Sequence, residues 1–143
     1  MNRNDFQRLA DLRLKEARAL LAAGLPDGAF YLAGYAVECA LKACIARQTQ
    51  QHDFPDKKVV DKSYTHDIDK LLDAAGLSGS LKSDIAMNPR LESDWEMVRF
   101  WSEQSRYELS DDDPLAGLTT ARELIKAVES EQDGALPWIK QRW

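Results

Sequence analysis

Residues 17–47 read ARALLAAGLPDGAFYLAGYAVECALKACIAR, two helix-forming stretches parted by Gly24-Leu25-Pro26. Upstream, Phe6, Ala10, Leu14, Ala17 and Leu21 recur at steps of three or four, with Leu9, Leu12 and Leu20 widening the apolar stripe. That spacing predicts an amphipathic helix over residues 4–23. Gly24 supplies a stop and Pro26 a first-turn start. A second helix follows over 26–47, with Phe30, Ala33, Val37, Ala40, Leu41 and Cys44 as core candidates. Its small residues (Ala29, Ala33, Gly34, Ala36, Ala40, Ala43) admit a close neighbour. At 1.5 Å per residue each helix spans about 30 Å. So short a connection forces the two to run antiparallel.

Outward from this pair, residues 48–64 are polar and lack periodicity, and they read as a surface loop. Thr65 is the expected cap of a helix that carries Ile68, Leu71, Leu72 and Ala75 and ends at Gly76. A short helix is expected from Leu81 to Met87, before Pro89. Leu91, Trp95, Val98 and Trp101 predict another that continues to Tyr107. The Asp111-Asp112-Asp113-Pro114 run starts a last helix to about Glu131, with Leu118, Ala121, Leu124, Ile125 and Val128 inward. Neither strand patterning nor an internal repeat is read. The expected fold is all-α, an antiparallel up-down bundle of four to five helices. Residues 1–135 form one domain, and the aromatic tail 136–143 packs on it or on a dimer partner.

The 143 residues suit a single domain, and 44% hydrophobic with 30% charged residues is a globular balance. The N-terminus opens with charge rather than the apolar stretch of a signal peptide, and no apolar run is read as a membrane span. A cytoplasmic protein without membrane attachment is expected. Cys39 and Cys44 have no second Cys/His pair at zinc spacing, so they read as reduced thiols, and neither metal nor cofactor is expected. The net charge of −5 is uneven. Residues 1–50 carry seven basic and five acidic groups, and residues 51–113 carry eight and fifteen. This distribution argues against a broad nucleic-acid face but leaves room for a small basic pocket.

Two groups of residues carry chemistry. Tyr31, Tyr35, Glu38 and Lys42 stand at i, i+4, i+7 and i+11, one stripe of the second helix. As a solvated rim its Glu38–Lys42 pair contributes only about 0.2–0.5 kcal/mol, and as a groove wall it offers donors and acceptors. On the helix read to Tyr107, Arg99 and Arg106 are seven apart with Glu103 between them, so both should point to one side. Taken alone, Arg99, Glu103 and Arg106 read as a solvated Arg/Glu face; because a planar guanidinium fork suits phosphate, the two arginines beside Tyr107 are also a candidate anion site.

Ala17 to Arg47, with Glu38 and Lys42 as a Glu-x-x-x-Lys signature, resembles the start of the HEPN domain family (higher eukaryotes and prokaryotes nucleotide-binding domain). His66-Asp67-Ile68 with Leu71-Leu72, the Arg106-Tyr107 pair, and a final Ala/Leu-rich helix continue the resemblance in order over about residues 5–131. It implies a four- to five-helix bundle, commonly dimeric, with a polar cleft where the signature helices meet. It also implies either a ribonuclease or a binding module, often paired with a minimal nucleotidyltransferase in toxin–antitoxin systems. Glu38, Lys42, Arg99, Arg106, Tyr107 and Tyr35 are then the expected ligand-binding residues.

The ribonuclease form of the family uses an Arg, four to six spacer residues and a His on a late helix. Here Gln104, Ser105 and Arg106 follow Arg99 at those spacings, and Asp111 to Asp113 follow Arg106. Arg47 with His52 matches literally, but at the end of the second helix. Metal-free RNA cleavage needs a group that moves protons near neutral pH. Tyr107 is a poor substitute, and His66 opens a different helix. No catalytic residue is therefore assigned. The expectation is a non-catalytic module that binds a nucleotide, RNA or a nucleotidyltransferase, and it is expected to form a homodimer. The alternatives are a diverged metal-independent ribonuclease toxin and a helical interaction protein without ligand. Arg106 is expected to contact Glu38, directly or through one water.

Overall fold

Prolines and glycines punctuate the chain where the sequence reading puts them. In the computed structural model, which describes residues 1–49 and 53–143, Pro26, Pro89 and Pro114 each occupy the first turn of a helix. Gly24 and Gly76 take φ of +75° and +70°, the left-handed conformation that ends a helix without a Cβ penalty. Around both, the following amides (Leu25 and Leu77) donate back to the carbonyls of Leu20 and Leu72, closing the turn.

The helices are α1 (Arg3–Ala22), α2 (Pro26–Gln48), α3 (Lys57–Ser63), α4 (Ile68–Ala74), α5 (Ser78–Met87), α6 (Pro89–Phe100), α7 (Pro114–Glu129) and α8 (Ala135–Lys140). A 3-10 helix, Glu103–Tyr107, lies between α6 and α7. No strand occurs among the described residues, so the fold is all-α as read. Its frame is the four longest helices, α1, α2, α6 and α7, with short helices filling between them.

α2 is the axis of the bundle. α1, α7, α4, α8 and the 3-10 helix all pack on it. Ala29, Ala33, Ala36, Val37, Ala40, Leu41 and Ala43 are fully buried, because a helix surrounded on all sides is apolar on all sides. α2 therefore does reach the length and hydropathy of a membrane span, against the sequence reading, with mean hydropathy 1.4. Yet 67% of that stretch is buried inside the fold.

Three local expectations change. The polar segment 48–64 contains α3, which Asp56 caps by accepting from the Lys58 amide. With seven residues and none buried, α3 has no apolar stripe for a periodicity to reveal. Asp67, not Thr65, caps α4 and accepts from the Lys70 amide, while Thr65 accepts from the Asp67 amide one turn earlier. The helix read through to Tyr107 stops at Phe100. Within the aromatic C-terminal segment, Leu136, Trp138 and Ile139 of α8 are buried, and the Trp138 ring meets Trp95 edge-on at 5.7 Å.

Candidate functional site

Trp101 sets the geometry of the site. Its backbone leaves the helix (φ −67°, ψ 141°), and its indole turns inward against the one glycine in the middle of α2. The indole Nε1 donates to the Tyr31 carbonyl at 3.1 Å, and the ring stacks on Tyr31 at 6.2 Å. Ser102 then caps the 3-10 helix by accepting from the Gln104 amide. This break rotates Glu103 to Tyr107 away from the line of α6. Arg99 and Arg106 consequently do not share a face, contrary to the seven-residue spacing. Arg99 pairs with Asp69 of α4 at 3.0 Å, and Arg106 pairs with Glu103 at 2.6 Å.

The break also creates a continuous chain of polar side chains across three elements. Lys42 Nζ donates to Glu38 Oε1 at 2.8 Å, and His66 Nδ1 meets the same oxygen at 2.9 Å. The other nitrogen of that ring, Nε2, meets Glu103 Oε2 at 3.2 Å, and Glu103 Oε1 receives Arg106. Arg106 and Glu38 are therefore joined through His66 and Glu103, rather than directly or through one water as expected. The long reach follows from topology, because Glu38 points out of α2 toward the start of α4 and the 3-10 helix approaches from the other side.

Glu38 is the unusual member, a carboxylate only 1% exposed. Its Oε1 has two partners, while Oε2 is buried with no hydrogen-bond partner within the protein. A buried carboxylate is tolerated where it is paired, and the Lys42 ammonium does that here. Beside this chain lies an open cavity of about 500 Å³ between α4 and the 3-10 helix. His66, Asp69, Arg99, Trp101, Ser102 and Glu103 line it. That volume falls within the usual range of small-molecule sites.

The six residues expected to bind a ligand are placed unequally. Arg99 lines the cavity, and Arg106 reaches its wall through Glu103. Glu38 and Lys42 stand behind His66. Tyr107 is exposed, with the Arg106 guanidinium over its ring at 4.8 Å. Tyr35 is not part of the cavity wall. It stacks on Tyr31 at 5.9 Å, and burial, then the nearness of Cys39 and Glu38, raises its pKa above the ordinary phenol value. Cys39 and Cys44 are buried in the same helix, and desolvation pushes both thiols up to about 11.

His66 and Glu103 are the residues the sequence reading undervalued. His66 has no spacing signal, because its partners come from α2 and the 3-10 helix. Glu103 reads as one charge of a solvated face until the break at Trp101 turns it inward. His52, the other histidine of the sequence, lies outside the described residues. Among those described, no group of three or more His, Cys, Asp or Glu side chains is arranged to hold a metal ion.

No curated protein and no solved structure gives a significant match to the chain. A family comparison does, over residues 4–131, and the matched span runs from the start of α1 to just past α7, taking in Glu38, Lys42, His66, Glu103 and Arg106. The chain belongs to the HEPN domain family.

Proposed function

We propose that this HEPN domain binds a phosphate-bearing ligand, a nucleotide or RNA, in the cleft between α4 and the 3-10 helix. The observation that carries this reading is that His66 and Arg99 line one cavity and Arg106 pairs with Glu103 in its wall, three donors from different parts of the chain. Guanidinium and imidazole N–H groups suit phosphate oxygens, and the half-buried setting strengthens each contact. Tyr107, beside Arg106, offers an exposed ring on which a base can stack. On this reading Glu38 and Lys42 do not touch the ligand; they hold the His66 ring in place.

The domain works as a binding module within a larger system, with a second copy of itself and a minimal nucleotidyltransferase as partners. The exposed Tyr107, Leu109 and Leu115 supply apolar surface for such a contact. A second reading, a diverged metal-independent ribonuclease, is favoured by one observation: His66 is hydrogen-bonded to the buried Glu38 at 2.9 Å, as a base held by an orienting carboxylate would be.

Isothermal titration with adenosine monophosphate tests the binding reading. Heat is expected with the wild-type protein and is expected to vanish in Arg106→Ala with the melting curve unchanged. Equal binding by both would exclude this cleft. Incubation with single-stranded and structured RNA in chelator-treated buffer separates the two readings. Cleavage that His66→Ala abolishes would replace the module by the ribonuclease.

A further inference from the structure

We propose that Glu103 holds the place of a ligand anion, and that the cleft therefore selects a terminal phosphate monoester over the internal diester of a strand. This rests on the phosphate-binding reading above and goes further by naming the class of phosphate. Glu103 is the point where two donors from different elements meet. His66 Nε2 stands 3.2 Å from one of its oxygens and Arg106 Nη2 2.6 Å from the other. Two donors set to receive the two oxygens of a carboxylate are also set to receive two oxygens of a phosphate, which are similarly spaced.

Glu103 is well placed to leave. It is the first residue of a five-residue 3-10 helix, and its side chain lies in the wall of the 500 Å³ cavity. Rotation of that side chain alone frees both donors, with no helix displaced. The donors would keep their positions when it left. His66 is fixed through its other nitrogen to Glu38, which in turn is held by Lys42. Arg106 lies over the Tyr107 ring. The ring nitrogen facing Glu103 is thus preset.

The number of free oxygens decides which phosphate gains from the exchange. Lys42 pairs with Glu38, Arg106 with Glu103 and Arg99 with Asp69, and Asp67 adds one more carboxylate to the cavity wall, so net charge gives no preference. A phosphodiester has two free oxygens and only replaces what Glu103 already gives, while the Glu103 carboxylate must be resolvated. A phosphate monoester has three terminal oxygens, two for His66 and Arg106 and a third for Arg99, which lines the same cavity. The exchange favours the monoester, whether carried by a mononucleotide or by the end of a strand.

The probes are adenosine monophosphate, the dinucleoside ApA, which has only an internal diester, and tetraadenylate with and without a 5′-phosphate. All are titrated calorimetrically against wild type, Glu103→Gln and Arg106→Ala. Wild type is expected to bind adenosine monophosphate at least about tenfold more tightly than ApA. Glu103→Gln is expected to tighten ApA about tenfold and to narrow the preference to within about threefold. The phosphorylated tetramer binding like the monophosphate assigns the ligand to strand ends as well, and its binding like the hydroxyl-terminated one restricts it to mononucleotides. Both results keep the monoester class. If Glu103→Gln leaves ApA binding unchanged while Arg106→Ala still abolishes monophosphate binding, the inference falls and the cleft reading stands. Should no probe bind any protein, both fall. Glu103→Ala, checked by its melting curve, stands in if the Gln variant fails to fold.

Discussion

The Trp101 indole fills the space that a side chain at position 34 would need: a Cβ added to Gly34 would lie 2.2 Å from the ring. Glycine at position 34 therefore lets the indole seat against α2 where the chain leaves α6, the point from which Glu103 and Arg106 turn toward His66. Gly34→Ala sets two effects against each other. Alanine improves helix propensity by about 1 kcal/mol, while forcing a ring out of a packed core costs about 1–3 kcal/mol. The ring cannot yield without abandoning the Tyr31 carbonyl and the Tyr31 stack, so the clash wins. Urea unfolding is expected to show a net loss of about 1 kcal/mol and at most about 2 kcal/mol, with tryptophan emission shifted to the red. A variant as stable as wild type would refute the wedge.

Glu38 tests how much the polar chain contributes to stability. Glu38→Ala strands the Lys42 ammonium, which is itself only 18% exposed, and frees the His66 ring. Removing one partner of a buried pair costs about 3–5 kcal/mol, and the route of Lys42 and His66 to solvent puts the expectation near 3 kcal/mol. Glu38→Gln keeps an acceptor oxygen in place and should lose less than the alanine variant. Equal losses for the two substitutions in urea titrations would show that only volume matters at this position.

Asp94, away from the cleft, gives the fold a pH dependence of definite sign. Burial, and then the nearby Asp133 carboxylate, raises its pKa from 3.8 to about 6. Between those values the folded protein holds a proton that the unfolded chain has released, so stability falls as pH rises through this window. Below 3.8 both states are protonated and the penalty is absent. Asp94→Asn removes the titration. Its melting temperature should exceed that of wild type at pH 7.5, and the difference should shrink toward pH 4. An equal difference at both pH values would assign the effect to something other than this carboxyl.

What could be read in the sequence divides by range. Gly24, Gly76, Pro26, Pro89 and Pro114 act on their own turns, so helix ends were legible from a few neighbouring residues. The Glu38–Lys42 pair was legible for the same reason, since i and i+4 meet on any helix. The break at Trp101 was not, because the apolar spacing from Leu91 continues smoothly and the glycine that seats the indole is on α2. Everything that depended on that break went with it. On an unbroken helix Arg99 and Arg106 align, Glu103 faces solvent and His66 meets no partner; the chain leaves the helix after Phe100 instead. An Arg106–Glu38 contact, direct or through one water, is what the chemistry of a guanidinium beside a carboxylate leads one to expect. Glu103 meets that need locally, three residues away.

If the cleft binds phosphate as proposed, the salt dependence of binding follows from how few cations it contains. The chain is acidic overall, at −5, and residues 51–113, which supply α4 and the 3-10 helix, are its most acidic segment. Long-range attraction of a polyanion is therefore absent, and affinity must come from Arg106, Arg99 and His66 at close range. Arg99 is already paired with Asp69 and Arg106 with Glu103, so a ligand gains only what exceeds those contacts. One or two phosphates engaged on a single strand give a slope of about −0.7 to −1.4 in log K against log salt. Fluorescence anisotropy with a labelled 5′-phosphorylated oligoadenylate, between about 50 and 200 mM salt, measures it. A slope steeper than about −4 would mean that many phosphates are neutralised at once. The ligand would then lie along an extended basic surface, and the cleft would cease to explain the binding.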